Sequence, residues 1–132
     1  MMIKINPDKE RAGSILKIVE NREKFLREIE KINAYSTIIA ENYYEIIKEI
    51  CMAIGLAEGY KAIGENAHKD AINLVKRYGF TESDIEIMQD LRIRRNKSSY
   101  EGKPIEKIYL ENKKQDLLNI IEKLKMLLQK LL

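Results

Sequence analysis

Cysteine, histidine and long apolar runs are scarce in this chain of 132 residues, and each scarcity excludes a class of protein. The single cysteine, Cys51, has no partner for a disulfide within the chain. With one cysteine and one histidine, no zinc-binding cluster is indicated. No stretch approaches the roughly 20 apolar residues of a membrane span, and residues 1–11 lack the apolar core of a signal peptide. We therefore expect a cytoplasmic protein with no membrane span, no metal and no cofactor.

An excess of one charge is also missing. The 24 Lys and Arg residues nearly balance the 21 Asp and Glu residues, so the formal net charge is +3. Net charge therefore does not indicate nucleic-acid binding, and any basic site must be local. Hydrophobic residues at 45% and charged residues at 34% are typical of a folded domain. The length predicts one domain spanning residues 1–132, and the richness in Ile, Lys and Glu is typical of heat-adapted proteins.

Apolar residues recur at helical spacing through most of the chain. A first helix is predicted to about Lys31, with Asn6 as its cap and Pro7 at its first position. Asn33 is placed to cap a second helix, whose wide apolar stripe ends in the glycine-rich region 55–64. Tyrosines on this second helix are expected to cover the core or an interface.

The second half of the chain predicts one short helix and two long ones. Asn66 is placed to cap the short helix, and Gly79 to end it. The segment from Thr81 to Asp84 resembles a capping box, and the fourth helix that it opens is expected to break over residues 98–104. The last helix is predicted over residues 105–132. Since no segment alternates with period two, we predict an all-α antiparallel bundle of four long helices plus a short one.

The end of the fourth helix carries four cations within six residues: Arg92, Arg94, Arg95 and Lys97. Arg95 follows Leu91 on the predicted buried face, so its guanidinium is expected at the edge of the core. Hydrogen-bonding side chains follow on the helix end and in the predicted loop: Asn96, Ser98, Ser99 and Tyr100. A fixed positive charge beside several donors suits a phosphate. A simpler interpretation is a set of solvated cations that complement the helix dipole.

This arrangement resembles the HEPN (higher eukaryotes and prokaryotes nucleotide-binding) domain family. That family consists of helical bundles with an Arg, a polar follower and, four to six residues later, a His, just before the last helix. Arg95 and Asn96 match the first two positions, and the segment Glu41 to Glu45, the glycine-rich loop and His68 are similar to the family's middle section. The resemblance covers about residues 10–130. It implies a homodimer whose two Arg motifs form one composite cleft, and a metal-independent endoribonuclease of toxin–antitoxin or defence type.

The chain departs from the family pattern at the histidine. Four residues separate Arg95 from Tyr100, which stands at the family's His position. A phenol with a pKa near 10 is a poor base at neutral pH, so RNA or nucleotide contact is indicated more strongly than cleavage. The candidate catalytic residues are Arg95, Asn96 and Tyr100, and the candidate nucleic-acid-binding residues are Arg92, Arg94, Lys97, Ser98 and Ser99.

Other interpretations stay open at this point. The only histidine, His68, is interpreted as structural or surface, because it lies far along the chain from the motif. An alternative function is a catalytically inactive HEPN module that docks a small nucleotidyltransferase acting as its antitoxin, with Tyr100 as a possible target of nucleotidylation. A helical dimer without any nucleic-acid role is the third possibility.

Overall fold

Helices dominate the computed structural model, which describes residues 1–32 and 35–132. The described residues form five α-helices, which are α1 (Lys9–Lys31), α2 (Ser36–Glu58), α3 (Ala67–Leu74), α4 (Glu82–Glu101) and α5 (Lys107–Leu131). A 3₁₀ turn, Val75–Tyr78, follows α3. The predicted helical class is confirmed in this broad sense. Within the two described ranges, no helix combines the length and the apolarity that crossing a membrane requires.

The core is organised around α2, which packs against all four other helices. Buried side chains cover most of its circumference, as expected for a helix that has neighbours on several sides. On α5, an apolar stripe is buried at Leu117, Ile121, Leu124 and Leu128. Cys51 is completely buried on α2, and burial raises the pKa of its thiol to about 12. Cys51 is therefore a small core residue.

The start of α1 differs from the prediction. Asp8, and not Asn6, is the cap, and its carboxylate accepts a hydrogen bond from the backbone N–H of Arg11 at 3.0 Å. The N–H of Asp8 donates to the carbonyl of Leu56 at 2.8 Å, and Pro7 lies before the helix instead of at its first position. Helical geometry therefore begins only at Lys9. The predicted cap of α2, Asn33, lies outside the described residues.

The predicted starts of α3 and α4, and the stop at Gly79 between them, hold closely. Thr81 and Asp84 form the predicted capping box, with Asp84 N to Thr81 Oγ1 at 3.0 Å and Thr81 N to Asp84 Oδ2 at 3.2 Å. Gly79 ends the 3₁₀ turn in the left-handed conformation, with φ of 89°. Asn66 occupies the cap position of α3, but its side chain makes no capping hydrogen bond.

A two-stranded sheet contradicts the expectation of no strands. β1 (Met2–Lys4) pairs antiparallel with β2 (Tyr60–Ala62), which directly follows α2. Each strand has three residues, too few to produce a detectable alternation. The pairing places the start of the chain beside the segment that leads into α3.

The predicted loop over residues 98–104 is also wrong in its first half. α4 continues to Glu101 and ends at Gly102, which has φ of 68°. The Ser98 hydroxyl oxygen lies 3.0 Å from the carbonyl oxygen of Arg95 and 2.9 Å from Glu41 Oε1, so its one proton has two acceptors within reach. Consequently Ser98, Ser99 and Tyr100 are helical residues.

Gly55 lies inside α2, although it was predicted as part of a glycine-rich loop. A Cβ atom there would lie 3.0 Å from the carbonyl oxygen of Tyr60 and 3.3 Å from Cδ2 of Leu74. The glycine therefore lets β2 and α3 approach α2 closely. Gly13 of α1 is different, because a Cβ atom there meets nothing within 4 Å.

These two helical glycines give a matched pair of substitutions. Gly13→Ala should raise the free energy of unfolding by about 0.5–1 kcal/mol, because alanine loses less backbone entropy in a helix. Gly55→Ala should lower it by about 1–3 kcal/mol, because backbone atoms must move to admit the methyl group. Urea denaturation followed by circular dichroism measures both values, and equal stability of the two variants would contradict the close approach at Gly55.

Candidate functional site

One cleft collects several of the predicted site residues. Its first wall is the C-terminal half of α4, with Arg92, Arg95, Asn96 and Tyr100. Its second wall is formed by residues 64–69, which lead into the first turn of α3 and include His68. The cleft has a volume of about 430 Å³. We refer to it as the Arg95 cleft.

Helical spacing explains why only some of the cations reach this cleft. Arg92 and Arg95 are three residues apart and lie on the same side of α4. Arg94 and Lys97 line a different groove, beside the segment that connects α4 to α5. The guanidinium of Arg94 lies 4.5 Å from the ring centre of Tyr109, and its Nε is 2.9 Å from Asp90 Oδ2. The predicted basic cluster is therefore divided between two surfaces.

Arg95 lies at the edge of the core, as its helical phase predicts, with 23% of its side chain exposed. Its guanidinium lies over the ring of Tyr44, 5.5 Å from the ring centre. It donates to Glu45 Oε1 at 3.3 Å and to Asn96 Oδ1 at 3.4 Å. Both distances are at the long end for hydrogen bonds. Arg95 thus keeps donor capacity for a ligand in the cleft.

Glu45 is shared between two cations, which limits how far it neutralises Arg95. Its other oxygen accepts from Lys48 Nζ at 2.6 Å, a much shorter contact than that to Arg95. Burial raises the pKa of Glu45, but the hydrogen bond and charge of Lys48, together with Arg95, lower it below its ordinary value. Glu45 is therefore ionised at neutral pH, and it orients the Arg95 side chain against α2.

Arg92 has a neutral partner within α4. Its Nε donates to Gln89 Oε1 at 2.6 Å, while the amide nitrogen of Gln89 donates to the carbonyl of Lys69 at 3.0 Å and to Asn73 Oδ1 at 3.1 Å. The amide of Gln89 thus joins the two walls of the cleft and holds Arg92 beside them. Since no carboxylate takes part in these contacts, the charge of Arg92 remains available.

His68 is the residue that sequence analysis interpreted as structural or surface, and the structure places it in the cleft. Its Nδ1 lies 3.2 Å from the hydroxyl oxygen of Tyr44, a side chain with no exposed surface. Burial lowers the pKa of His68, and the charges of Lys48 and Arg95 lower it further. The imidazole is therefore neutral at pH 7. Only the packing of α3 against α2 and α4 reveals this position, because nothing in the local sequence around His68 indicates it.

The remaining predicted residues occupy other positions. The hydroxyl of Ser98 lies 2.9 Å from Glu41 Oε1 and so faces α2. Ser99 is exposed on α4. Tyr100 lies at the rim of the cleft with 80% of its surface exposed. Of the predicted site residues, the cleft therefore brings together Arg92, Arg95, Asn96 and Tyr100, and leaves out Arg94, Lys97, Ser98 and Ser99.

The donor set in the cleft favours an anionic ligand. Two guanidinium groups, an amide, a phenol and an imidazole supply hydrogen-bond donors on facing walls. Across residues 1–32 and 35–132, no group of three or more His, Cys, Asp or Glu side chains is arranged to hold a metal ion. The arrangement can bind oxygen atoms of a phosphate or carboxylate group.

Comparisons of the chain with protein-family models, with curated proteins and with solved structures give no match. The HEPN resemblance therefore depends on the Arg95-Asn96 motif and on the order of the predicted helices. It enters the function as a proposal.

The depressed pKa of His68 makes stability depend on pH in a defined direction. Below the ordinary histidine pKa of about 6.5, the unfolded chain takes up a proton more readily than the folded one, so folding is disfavoured. Between about pH 7 and pH 5.5, the free energy of unfolding should therefore fall for the wild type relative to His68→Gln. Urea denaturation of both proteins across this range measures the difference. A wild type that gains stability on acidification relative to the variant would show that the fold favours the imidazolium.

Proposed function

We propose that this protein is a HEPN-like RNA-binding protein, and that the Arg95 cleft binds a phosphate of the RNA backbone. The observation that carries the proposal is the meeting of Arg92 and Arg95 with His68 in one cleft. These side chains come from two helices and are joined through Gln89 and Tyr44. A set of cations that only complements a helix dipole does not require such a second wall.

The charge of the cleft supports a phosphate ligand. Arg92 and Arg95 both retain donor capacity, because their partners are a neutral amide and a shared carboxylate. Lys69 adds a cation to the second wall, and Glu65 is the acidic residue there. Guanidinium groups bind phosphate through paired charge-assisted hydrogen bonds, which suits a site with two of them.

The rim of the cleft supports RNA over a small free anion. Tyr100 is largely exposed there, on the same side of α4 as Asn96. An exposed aromatic ring beside a phosphate site is a surface on which an unpaired base can stack. We therefore favour single-stranded RNA. The metal-independent cleavage that the family resemblance implies is a separate step, which the binding experiment below also detects.

The finer architecture belongs to the same proposal. We propose that the helices form a HEPN-like antiparallel bundle and that two copies pair. A stripe of exposed apolar side chains along α1 and at its C-cap supports pairing, since Ile18, Phe25 and the cap residue Ile32 recur every seven residues and are each at least half exposed. Such an apolar stripe at heptad spacing is typical of a helix-packing surface.

Pairing is tested by measuring the mass of the protein in solution. Phe25→Glu places a carboxylate in the centre of the stripe and should convert a dimer to a monomer in sedimentation equilibrium. Lys24→Glu introduces the same side chain at an exposed position outside the stripe and should leave the mass unchanged. A wild type that sediments as a monomer contradicts pairing.

RNA binding is tested with a short fluorescein-labelled single-stranded RNA. Arg95→Ala should weaken binding by about tenfold or more, because a charge-assisted contact to phosphate is lost. It should also reduce the slope of log affinity against log salt by about 0.7, the value for one phosphate contact on a single strand. Fluorescence anisotropy at several salt concentrations measures both quantities, and gel electrophoresis of the same samples detects cleavage.

Arg94→Ala is the matched control, because it removes the same charge from the same helix outside the cleft. It should weaken binding less than Arg95→Ala does. If the two variants bind alike, the cleft is not the phosphate site. If the wild type shows no salt-dependent binding, the proposed function is wrong.

A further inference from the structure

His68 and Tyr44 form a polar pair whose hydrogen-bond direction can be deduced. Tyr44 is buried without exposed surface, and its hydroxyl has His68 Nδ1 as its one hydrogen-bond partner among the described residues. Burial raises the pKa of Tyr44 to about 12, and the nearby charges of Arg95 and Arg92 offset only part of this increase. The hydroxyl therefore carries its proton at neutral pH.

That proton needs an acceptor, and Nδ1 provides it. If Nδ1 carried a hydrogen and donated to Tyr44, the buried O–H would have no acceptor within the described part of the chain. A buried donor without a partner is strongly disfavoured. Tyr44 therefore donates to Nδ1, and the single hydrogen of the neutral imidazole is on Nε2.

Nε2 is open to the cleft. Within the described ranges, Nε2 makes no hydrogen bond. It is also not one of the buried polar atoms there that lack a partner, so it is accessible to solvent. His68 lines the cleft opposite Arg92 and Arg95. The N–H group on Nε2 is thus a donor that the protein itself does not use.

The charged groups around His68 keep it neutral. Lys48 and Glu45 face it from α2, and Arg92 and Arg95 face it from α4. Burial and the three cations lower the pKa of His68, and Glu45 opposes them only in part. An imidazole that is neutral beside two arginines donates a hydrogen bond without adding charge repulsion to the site.

We propose that His68 is a phosphate-binding residue of the Arg95 cleft, which donates a hydrogen bond from neutral Nε2–H, and that Tyr44 is the positioning residue that selects this tautomer. The inference rests on the proposed RNA-binding function and names a further ligand of the same phosphodiester. An Nε2 that already carries a hydrogen cannot accept the proton of an RNA 2′-hydroxyl. His68 in this tautomer therefore binds the RNA backbone and does not act as the base for its cleavage.

The tautomer is measured directly, because the chain has a single histidine and its imidazole gives one set of signals. Long-range proton–nitrogen NMR at neutral pH should show Nε2 protonated and Nδ1 unprotonated. Tyr44→Phe should return the ring towards a mixture of tautomers. Tyr43→Phe removes the neighbouring buried hydroxyl, which bonds Glu30, and should leave the imidazole signals unchanged. A protonated Nδ1 in the wild type would overturn the inference.

RNA affinity tests the role of the donor. His68→Gln retains an amide N–H near the position of Nε2 and should bind the labelled RNA within about threefold of the wild type, whereas His68→Ala should lose about tenfold. Wild-type affinity should stay level from about pH 7.5 to pH 8.5, because burial and the nearby cations lower the pKa of His68 and keep the imidazole neutral there. Circular dichroism confirms that each variant is folded.

The outcomes separate this inference from the proposed function. RNA binding that Arg95→Ala weakens and His68→Ala does not would overturn the role of His68 alone. RNA cleavage by the wild type that is lost in His68→Gln would show that His68 acts as a base and would also overturn it. Absence of RNA binding by the wild type would remove the proposed function together with this inference.

Discussion

Burial of α2 on most of its circumference is the constraint on which the other elements depend. A helix that packs against four others must present apolar side chains in nearly every direction, and this is the case for α2. The polar groups of α2 that are buried among these neighbours each need a hydrogen-bond partner. The hydroxyl of Tyr44 meets that requirement with His68 and its ring supports Arg95. The contacts of this one buried tyrosine therefore hold both walls of the cleft in place.

The second organising feature is the direction in which each side chain of α4 points around the helix axis. Two cations, Arg92 and Arg95, turn into the cleft, while Arg94 turns to the ring of Tyr109. A net charge of +3 gives no indication of this separation. Local electrostatics differ from the global balance because the carboxylate nearest to Arg95 is shared with Lys48. The cleft is thus more basic than the molecule as a whole.

The features that sequence analysis predicted are those set by contacts within a few residues. The capping box at Thr81 and the left-handed stop at Gly79 depend on their immediate neighbours. The phase that places Arg95 at the edge of the core follows from the spacing of the apolar residues before it. The extension of α4 through Tyr100 was missed, because two serines and a tyrosine are weak helix formers that contacts with α2 support. His68 was missed because its neighbours come from α2 and α4, far away along the chain.

The pairing of β1 with β2 has a consequence for how the molecule forms. Met2 pairs with Ala62 across almost half of the chain, and this contact fixes the segment that leads into the second wall of the cleft. Closing so long a loop costs chain entropy before the contact can stabilise the fold, and contacts distant in sequence slow folding. We expect the wall that bears Arg92 and Arg95 to form early, as part of a helix. The wall that bears His68 reaches its place only when the start of the chain docks, so the complete cleft is among the last parts of the molecule to assemble.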